Sequence, residues 1–286
     1  MNIYWNEEYC APKTDFETFQ KSRYIAKVLP VKDPSDVSGA LALAQNQITK
    51  YTDPEYLQAV VTGRPRGLAE TNGFGWDDGV YRSVLNSTAG ILCAVNDTIE
   101  DGHPSAGSLS SGLHHANAKR GTGFCTINSL AIAALYAESK GKSVAILDLD
   151  AHCGGGTSDM IQGTSIAQFD LSTSQFDNYP DEIMNPYSWR YVMPRGDDYM
   201  KHVNIALDKL TTFGPEIVFY NAGVDIYPEI DADTVSTRDI QVAKRLFSLG
   251  TKVVIVTAGG YGDYVEIARL HGKTFGAFEV LLRVLA

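Results

Sequence analysis

The amino-acid sequence predicts an α/β fold in which a mainly parallel sheet is covered by helices on both faces. Three observations carry this. Short apolar, β-favouring runs at 144–147, 166–171, 216–220 and 252–257 alternate with segments of helical spacing. Each run is apolar nearly throughout rather than alternating, the pattern of a strand buried on both faces. Reactive side chains arrive only past the C-terminal ends of these runs, where open α/β sheets hold their ligands. The 286 residues, 44% hydrophobic and 20% charged, suffice for one such core, and no repeat, low-complexity tract or linker divides them.

In chain order, residues 2–5 read as a first strand and 16–28 as a helix with Lys21, Arg23 and Lys27 among apolar positions. Residues 38–50 are rich in good helix formers such as Ala40, Leu41, Ala42 and Leu43. A Gly-rich loop over 62–78 is long enough for a functional rim. A helix over 80–96 follows, then a loop at 107–125 carrying His114-His115, and a clear helix over 127–139. The strand at 144–147 leads into Asp148, Asp150 and His152. After the run at 166–171, ended by Ser172, Thr173 and Ser174, residues 201–212 have helical spacing. The run at 216–220 ends in Asn-Ala-Gly-Val-Asp225, and that at 252–257 ends in Ala-Gly-Gly-Tyr261, flanked by helices at 237–249 and 264–285.

The chemistry lies past the strand ends. Asp148, Asp150 and His152 follow at spacing two, so a continuing extended backbone throws all three side chains to one side. Three ionisable groups beside an apolar run are costly to bury unless paired or metal-bound. With Asp225 from another strand, Asp150 and His152 give an Asp2His set, the three protein ligands of an open catalytic metal site. Asp225 alone reads equally as a helix N-cap or turn residue. His114-His115 reads either as surface decoration or as a general base and general acid. Tyr261, after Gly259-Gly260, is a packing residue or a donor to a developing oxyanion.

Leu113-His114-His115-Ala116, Gly123-Phe124-Cys125, Asp148-Leu149-Asp150-Ala151-His152, Gly223-Val224-Asp225 and Gly259-Gly260-Tyr261 follow the order and spacing of the zinc-dependent histone deacetylase family. That family includes the bacterial acetylpolyamine amidohydrolases, and the resemblance spans about residues 107 to 262. It implies the arginase/deacetylase fold, a single-domain three-layer α/β/α architecture over 1–286 around a central, mainly parallel sheet. It implies Zn2+ on Asp150, His152 and Asp225, with Fe2+ tolerated by the same ligands. It further implies that His114 and His115 act on water and leaving amine, that Asp148 orients His114, and that Tyr261 completes carbonyl polarisation. Phe124 and Tyr179, with Gly123, Gly259 and Gly260, would wall a narrow channel for an acyl-lysine or small N-acylated amine. Asp148, Asp150, His152 and Ser172 would hold a monovalent cation, K+ or Na+.

The sequence departs from the family at three points. Where His-His-Gly-Asp-Gly or His-His-Gly-Asn-Gly is usual, this chain has His152-Cys153-Gly154-Gly155-Gly156, so the partner that would orient His115 is missing at Gly155. An aspartate restored there is expected to raise turnover or shift its pH profile. Cys153 reads as a small buried residue in preference to an accessible thiol near the metal. The loop at 62–78 has no aligned substrate-clamping aspartate, with Asp77 and Asp78 the nearby candidates.

Composition narrows the partners. A formal charge of −10 argues against nucleic acid. The N-terminal residues lack a basic and an apolar signal region, and no run of about 18 apolar residues occurs, so neither export nor a membrane is expected and the cytoplasm is the expected compartment. Four scattered cysteines read as reduced thiols. Oligomeric state is not written in the chain. Two competitors remain. A binuclear manganese ureohydrolase of the arginase type would want an aspartate at 154, where Gly154 stands, and a second one near Asp225. A catalytically weak or inactive acyl-amine-binding protein of the same fold is motivated by Gly155.

Overall fold

The computed structural model describes residues 1–226 and 230–285. Its strands are β1 (Asn2–Tyr4), β2 (Ser105–Ser108), β3 (Val144–Asp148), β4 (Ala167–Ser172), β5 (Trp189–Val192), β6 (Ile217–Gly223) and β7 (Lys252–Ala258). They form one sheet in the order β1-β2-β7-β6-β3-β4-β5, with every neighbouring pair parallel. The α-helices are α1 (Lys21–Ala26), α2 (Ala40–Tyr51), α3 (Pro54–Thr62), α4 (Arg66–Ala69) and α5 (Gly79–Ile99) in the first part of the chain. After β2 come α6 (Ser129–Ser139), α7 (Gly155–Met160), α8 (Tyr199–Phe213), α9 (Ala232–Ser248) and α10 (Tyr264–Leu285).

Period two along the strands builds two separate cores. Ala145 and Leu147 of β3, Val218 and Tyr220 of β6, and Val253 and Ile255 of β7 face one side, against Leu207, Val242, Leu246 and Phe278 of α8, α9 and α10. Val144, Ile146, Ile217, Phe219, Val254 and Val256 face the other, against Ile91 and Leu92 of α5 and Leu130 and Ala134 of α6. Both faces are therefore covered, which is why the strands are apolar nearly throughout.

β2 and β5 differ from expectation. β2 is Ser-Ala-Gly-Ser, fully buried yet without a large apolar residue. Its neighbours leave no room for one: a Cβ on Gly107 would sit 2.6 Å from the Phe275 ring. β5, Trp-Arg-Tyr-Val, is a short, half-buried edge strand with no apolar run to mark it.

The direction in which successive strands are added reverses between β3 and β6, which themselves run parallel. From β3 the sheet grows outward through β4 and β5, whereas β6 and β7 lie on its other side. The carboxyl ends of these two adjacent strands form the switch-point crevice where such sheets hold ligands.

A candidate metal centre and active site at the switch point

β3 ends at Asp148, but the side chains beyond it still converge. Asp148 Oδ1 accepts the Asp150 backbone N–H at 3.2 Å, and Asp150 Oδ1 accepts that of His152 at 2.9 Å. These short loops replace the extended backbone expected there and bring about the same convergence. Asp225, just past β6, accepts the Ala151 N–H at 3.1 Å and so is bound to the β3 loop. His152 Nδ1 lies 3.2 Å from Asp150 Oδ1 and 3.1 Å from Asp225 Oδ2, and one donor atom from each of the three residues falls within a 4.8 Å cluster.

This donor set fits a divalent cation. Asp150 is 2% exposed and the Asp225 side chain 6%, so two carboxylates converge largely out of water beside the part-exposed His152 imidazole, an arrangement that needs positive charge between them. Burial and the Asp150 charge raise the pKa of Asp225. Hydrogen bonds to Asp150 and Asp225 push His152 up to about 10, the response of an imidazole that meets that need with a proton. Gly259, with φ +57°, lets β7 close over the group: a Cβ there would lie 2.4 Å from Asp225 Cγ.

The histidine pair sits beside this cluster, tied down by Asn128. Its side-chain oxygen caps α6 at Ala131 N, 2.8 Å away, and its amide donates to the carbonyls of His114 (3.2 Å) and Ala116 (3.0 Å). His114 Nδ1 lies 2.8 Å from Asp148 Oδ2, whose other oxygen accepts from Asn221 at 2.8 Å, and His114 Nε2 is 3.6 Å from Asp150 Oδ1. Burial opposes charge on His114, yet Asp148 and Asp150 outweigh it and push its pKa up to about 10. Burial and the neighbouring His114 push His115 below the usual imidazole range.

His115 has a carboxylate partner after all. Its Nδ1 lies 2.9 Å from Oδ2 of Asp177, a residue of the loop after β4. The missing partner expected from Gly155 is thus corrected. A side chain at 155 is also excluded, because its Cβ would lie 2.4 Å from the Asp177 carbonyl oxygen, so restoring an aspartate there is no remedy.

The recess holds about 80 Å3 and has Phe124 and Tyr261 at its mouth beside Asp150, His152 and Asp225. Phe124 is stacked on Phe16 with ring centroids 4.5 Å apart. Gly123 lies against His115 and Phe176, and a Cβ there would come within 2.5 Å of the imidazole. Two expected channel residues point elsewhere. Tyr179 is buried and its hydroxyl donates to Asp170 Oδ2 at 3.1 Å; the aromatic beside the two histidines is Phe176, edge-on to His115 at 5.0 Å and to His152 at 5.9 Å. The hydrogen-bonding demand of a buried phenol explains the exchange. Gly260 faces Ile267 and Val224 rather than the channel.

Sequence reading also passed over Lys21 and Asp170. Lys21 is buried in the recess wall, donates to the Gly259 and Thr257 carbonyls, and is lowered to about 8 by burial despite Asp225 and Asp150. A lysine on the inward side of an apolar helix was its only signal. Asp170 lies opposite Asp148 in the β3–β4 register, takes the Ser172 hydroxyl at 2.7 Å, and is raised to about 7 by burial and by Asp148. Ser172, expected beside a monovalent cation, therefore directs its proton to a carboxylate. Asp77 turns to the start of α5, accepting the Gly79 N–H at 2.8 Å. Cys153 is buried, as are the other three cysteines, all free thiols. No helix among the described residues is long and apolar enough to cross a membrane.

Comparison with known proteins shows the family and the fold. An uncharacterized protein of Picosynechococcus is 29% identical over 228 residues, covering 75% of each chain. Acetylpolyamine amidohydrolase of Mycoplana ramosa is 29% identical over 203 residues, 64% of this chain and 59% of the relative. The crystal structure of acetylpolyamine aminohydrolase from Burkholderia pseudomallei superposes with a TM-score of 0.80 at 21% identity, covering 98% of this chain and 99% of the other, and so shares the fold. The histone deacetylase domain profile matches residues 9–276. With a match over nearly its whole length, the chain belongs to the histone deacetylase domain family.

Proposed function

We propose that the chain, as one catalytic domain, is a metal-dependent amidohydrolase that removes an acetyl or other short acyl group from an N-acylated amine such as acetyl-lysine or an acetylpolyamine. One observation carries the reading: the Asp150, His152 and Asp225 donor atoms, within 4.8 Å of one another, lie beside a tandem histidine pair in a recess that Tyr261 also lines. Zn2+ suits these ligands, and Fe2+ suits them too. When bound, such an ion polarises a carbonyl and lowers the pKa of water toward neutrality.

The chain's own residues do the remaining work. His115, neutral near pH 7 because burial lowers its pKa, takes a proton from the attacking water and delivers it to the departing amine nitrogen. His114, held cationic by Asp148 and Asp150, offsets the negative charge that builds on the carbonyl oxygen. The Tyr261 hydroxyl, kept protonated by partial burial, donates to that oxygen. Phe124 and Phe176 confine an unbranched chain. A monovalent cation near Asp148 and Ser172 would offset the two buried carboxylates of Asp148 and Asp170. Asp177 removes the motive for an inactive binding protein, which rested on a partnerless His115.

The test is to purify the protein, quantify zinc and iron per chain, and assay acetyl-lysine peptides and acetylpolyamines before and after chelation. About one metal per chain with chelator-sensitive hydrolysis is expected. Bound metal with no hydrolysis of any acyl amine would overturn the reading.

A further inference from the structure

We infer that Asp177 is the positioning residue for His115, a carboxylate carried on the loop after β4 into the place left bare by Gly155. The inference rests on the proton-carrying role proposed for His115. Three observations support it. His115 Nδ1–H donates to Asp177 Oδ2 at 2.9 Å, which leaves Nε2 as the ring's acceptor. The same oxygen accepts the Gly156 N–H at 3.2 Å, and the Cys153 N–H donates to the Phe176 carbonyl at 3.1 Å, so the 153–156 and 176–177 segments are joined on both sides of the contact.

The third observation is steric. A Cβ at Gly155 would lie 2.4 Å from the Asp177 carbonyl oxygen and 2.7 Å from its Oδ1, so a side chain at 155 and a carboxylate at 177 exclude each other. The chain therefore keeps the function with a different residue. Asp177 also holds φ at +57°, a left-handed conformation that costs a non-glycine residue energy and persists only where its surroundings enforce it. Packing alone would be served better by glycine, and the carboxylate is what glycine lacks.

That contrast defines the test. Asp177→Gly relieves the left-handed backbone and removes the acceptor, so the fold, melting temperature and metal content should be kept while kcat falls about 10- to 100-fold with little change in KM. Asp177→Asn, which tolerates the backbone and keeps an acceptor, should fall between the two. Gly155→Ala, which does not touch His115, should displace Asp177 and reproduce the kcat loss. In proton–nitrogen NMR, the slowly exchanging imidazole N–H signal assigned by its loss in His115→Gln should vanish in Asp177→Gly. Wild-type turnover by Asp177→Gly, or an unchanged imidazole signal, would overturn the inference. If the unmodified protein hydrolyses no acyl amine, the deacetylase reading falls, and the NMR result still decides whether Asp177 holds His115.

Discussion

Replacing Arg238 by methionine should destabilise the protein by several kcal/mol. Arg238 is buried on α9, below the carboxyl ends of β3 and β6. Its Nε donates to Asp239 Oδ1 at 2.8 Å, and its Nη1 donates to the Gly223 carbonyl at 2.7 Å and the Leu149 carbonyl at 3.3 Å. Those carbonyls lie one residue before Asp150 and two before Asp225, so the guanidinium underpins both carboxylates of the candidate metal centre. Methionine keeps an unbranched chain but leaves Asp239, among the described residues, with only the hydroxyls of Tyr220 (2.5 Å) and Thr274 (2.6 Å). Removing one member of a buried pair costs about 3–5 kcal/mol, against a total stability of about 5–15 kcal/mol. The two orphaned carbonyls belong to the same network, so their loss is not simply added. Adding Asp239→Asn removes the stranded charge: its amide oxygen accepts from one hydroxyl and its NH2 donates to the other, that of Thr274, whose proton turns to the Leu270 carbonyl 3.3 Å away, so the double variant should recover about 1–3 kcal/mol relative to Arg238→Met. Urea unfolding at pH 7 measures each variant. A single-variant cost below about 1 kcal/mol would refute the reasoning, as would a double variant no more stable than the single one.

Metal uptake should release about one proton per chain at pH 7, because His152, pushed up to about 10, must be deprotonated to bind; apparent affinity should fall as pH falls. Calorimetric Zn2+ titrations in buffers of different ionisation enthalpy check this, and identical heats would contradict it. Asp225→Ala should lose bound metal while keeping its circular dichroism spectrum, so full retention by elemental analysis would rule out the proposed ligand set. Gly259→Ala should weaken metal binding about tenfold or more by driving a Cβ into Asp225, and unchanged affinity in a competition titration would count against that packing. Tyr179→Phe should cost about 1–3 kcal/mol of stability and leave KM unchanged, whereas Phe176→Ala should raise KM; the reverse pattern would restore Tyr179 to the channel.

Much of the sheet is legible because its central strands are covered on both faces and must be apolar throughout. β2 is illegible for the opposite reason: α10 presses so close that Gly107 has no room for a side chain. The grouping of Asp150 and His152 follows from spacing even though the strand stops at Asp148, since successive side-chain-to-backbone hydrogen bonds carry the convergence onward. Spacing says nothing about Asp177, which meets His115 from 62 residues away and replaces a group absent from the local motif. The resemblance put Tyr179 beside Phe124, but an aromatic position in a loop does not reveal whether its hydroxyl has a buried acceptor, here Asp170.

Phe176 and Asp177 are consecutive, and both bear on His115, one through the edge of its ring and the other through its carboxylate. The width of the proposed channel and the orientation of the imidazole would therefore be set by one short lever of backbone. A bulkier acyl chain that pushed Phe176 aside would also swing the carboxylate, so a poorly fitting substrate would be penalised in turnover as well as in affinity. Variants of this loop selected to admit larger substrates should accordingly lose speed, unless a second change steadies the histidine from elsewhere.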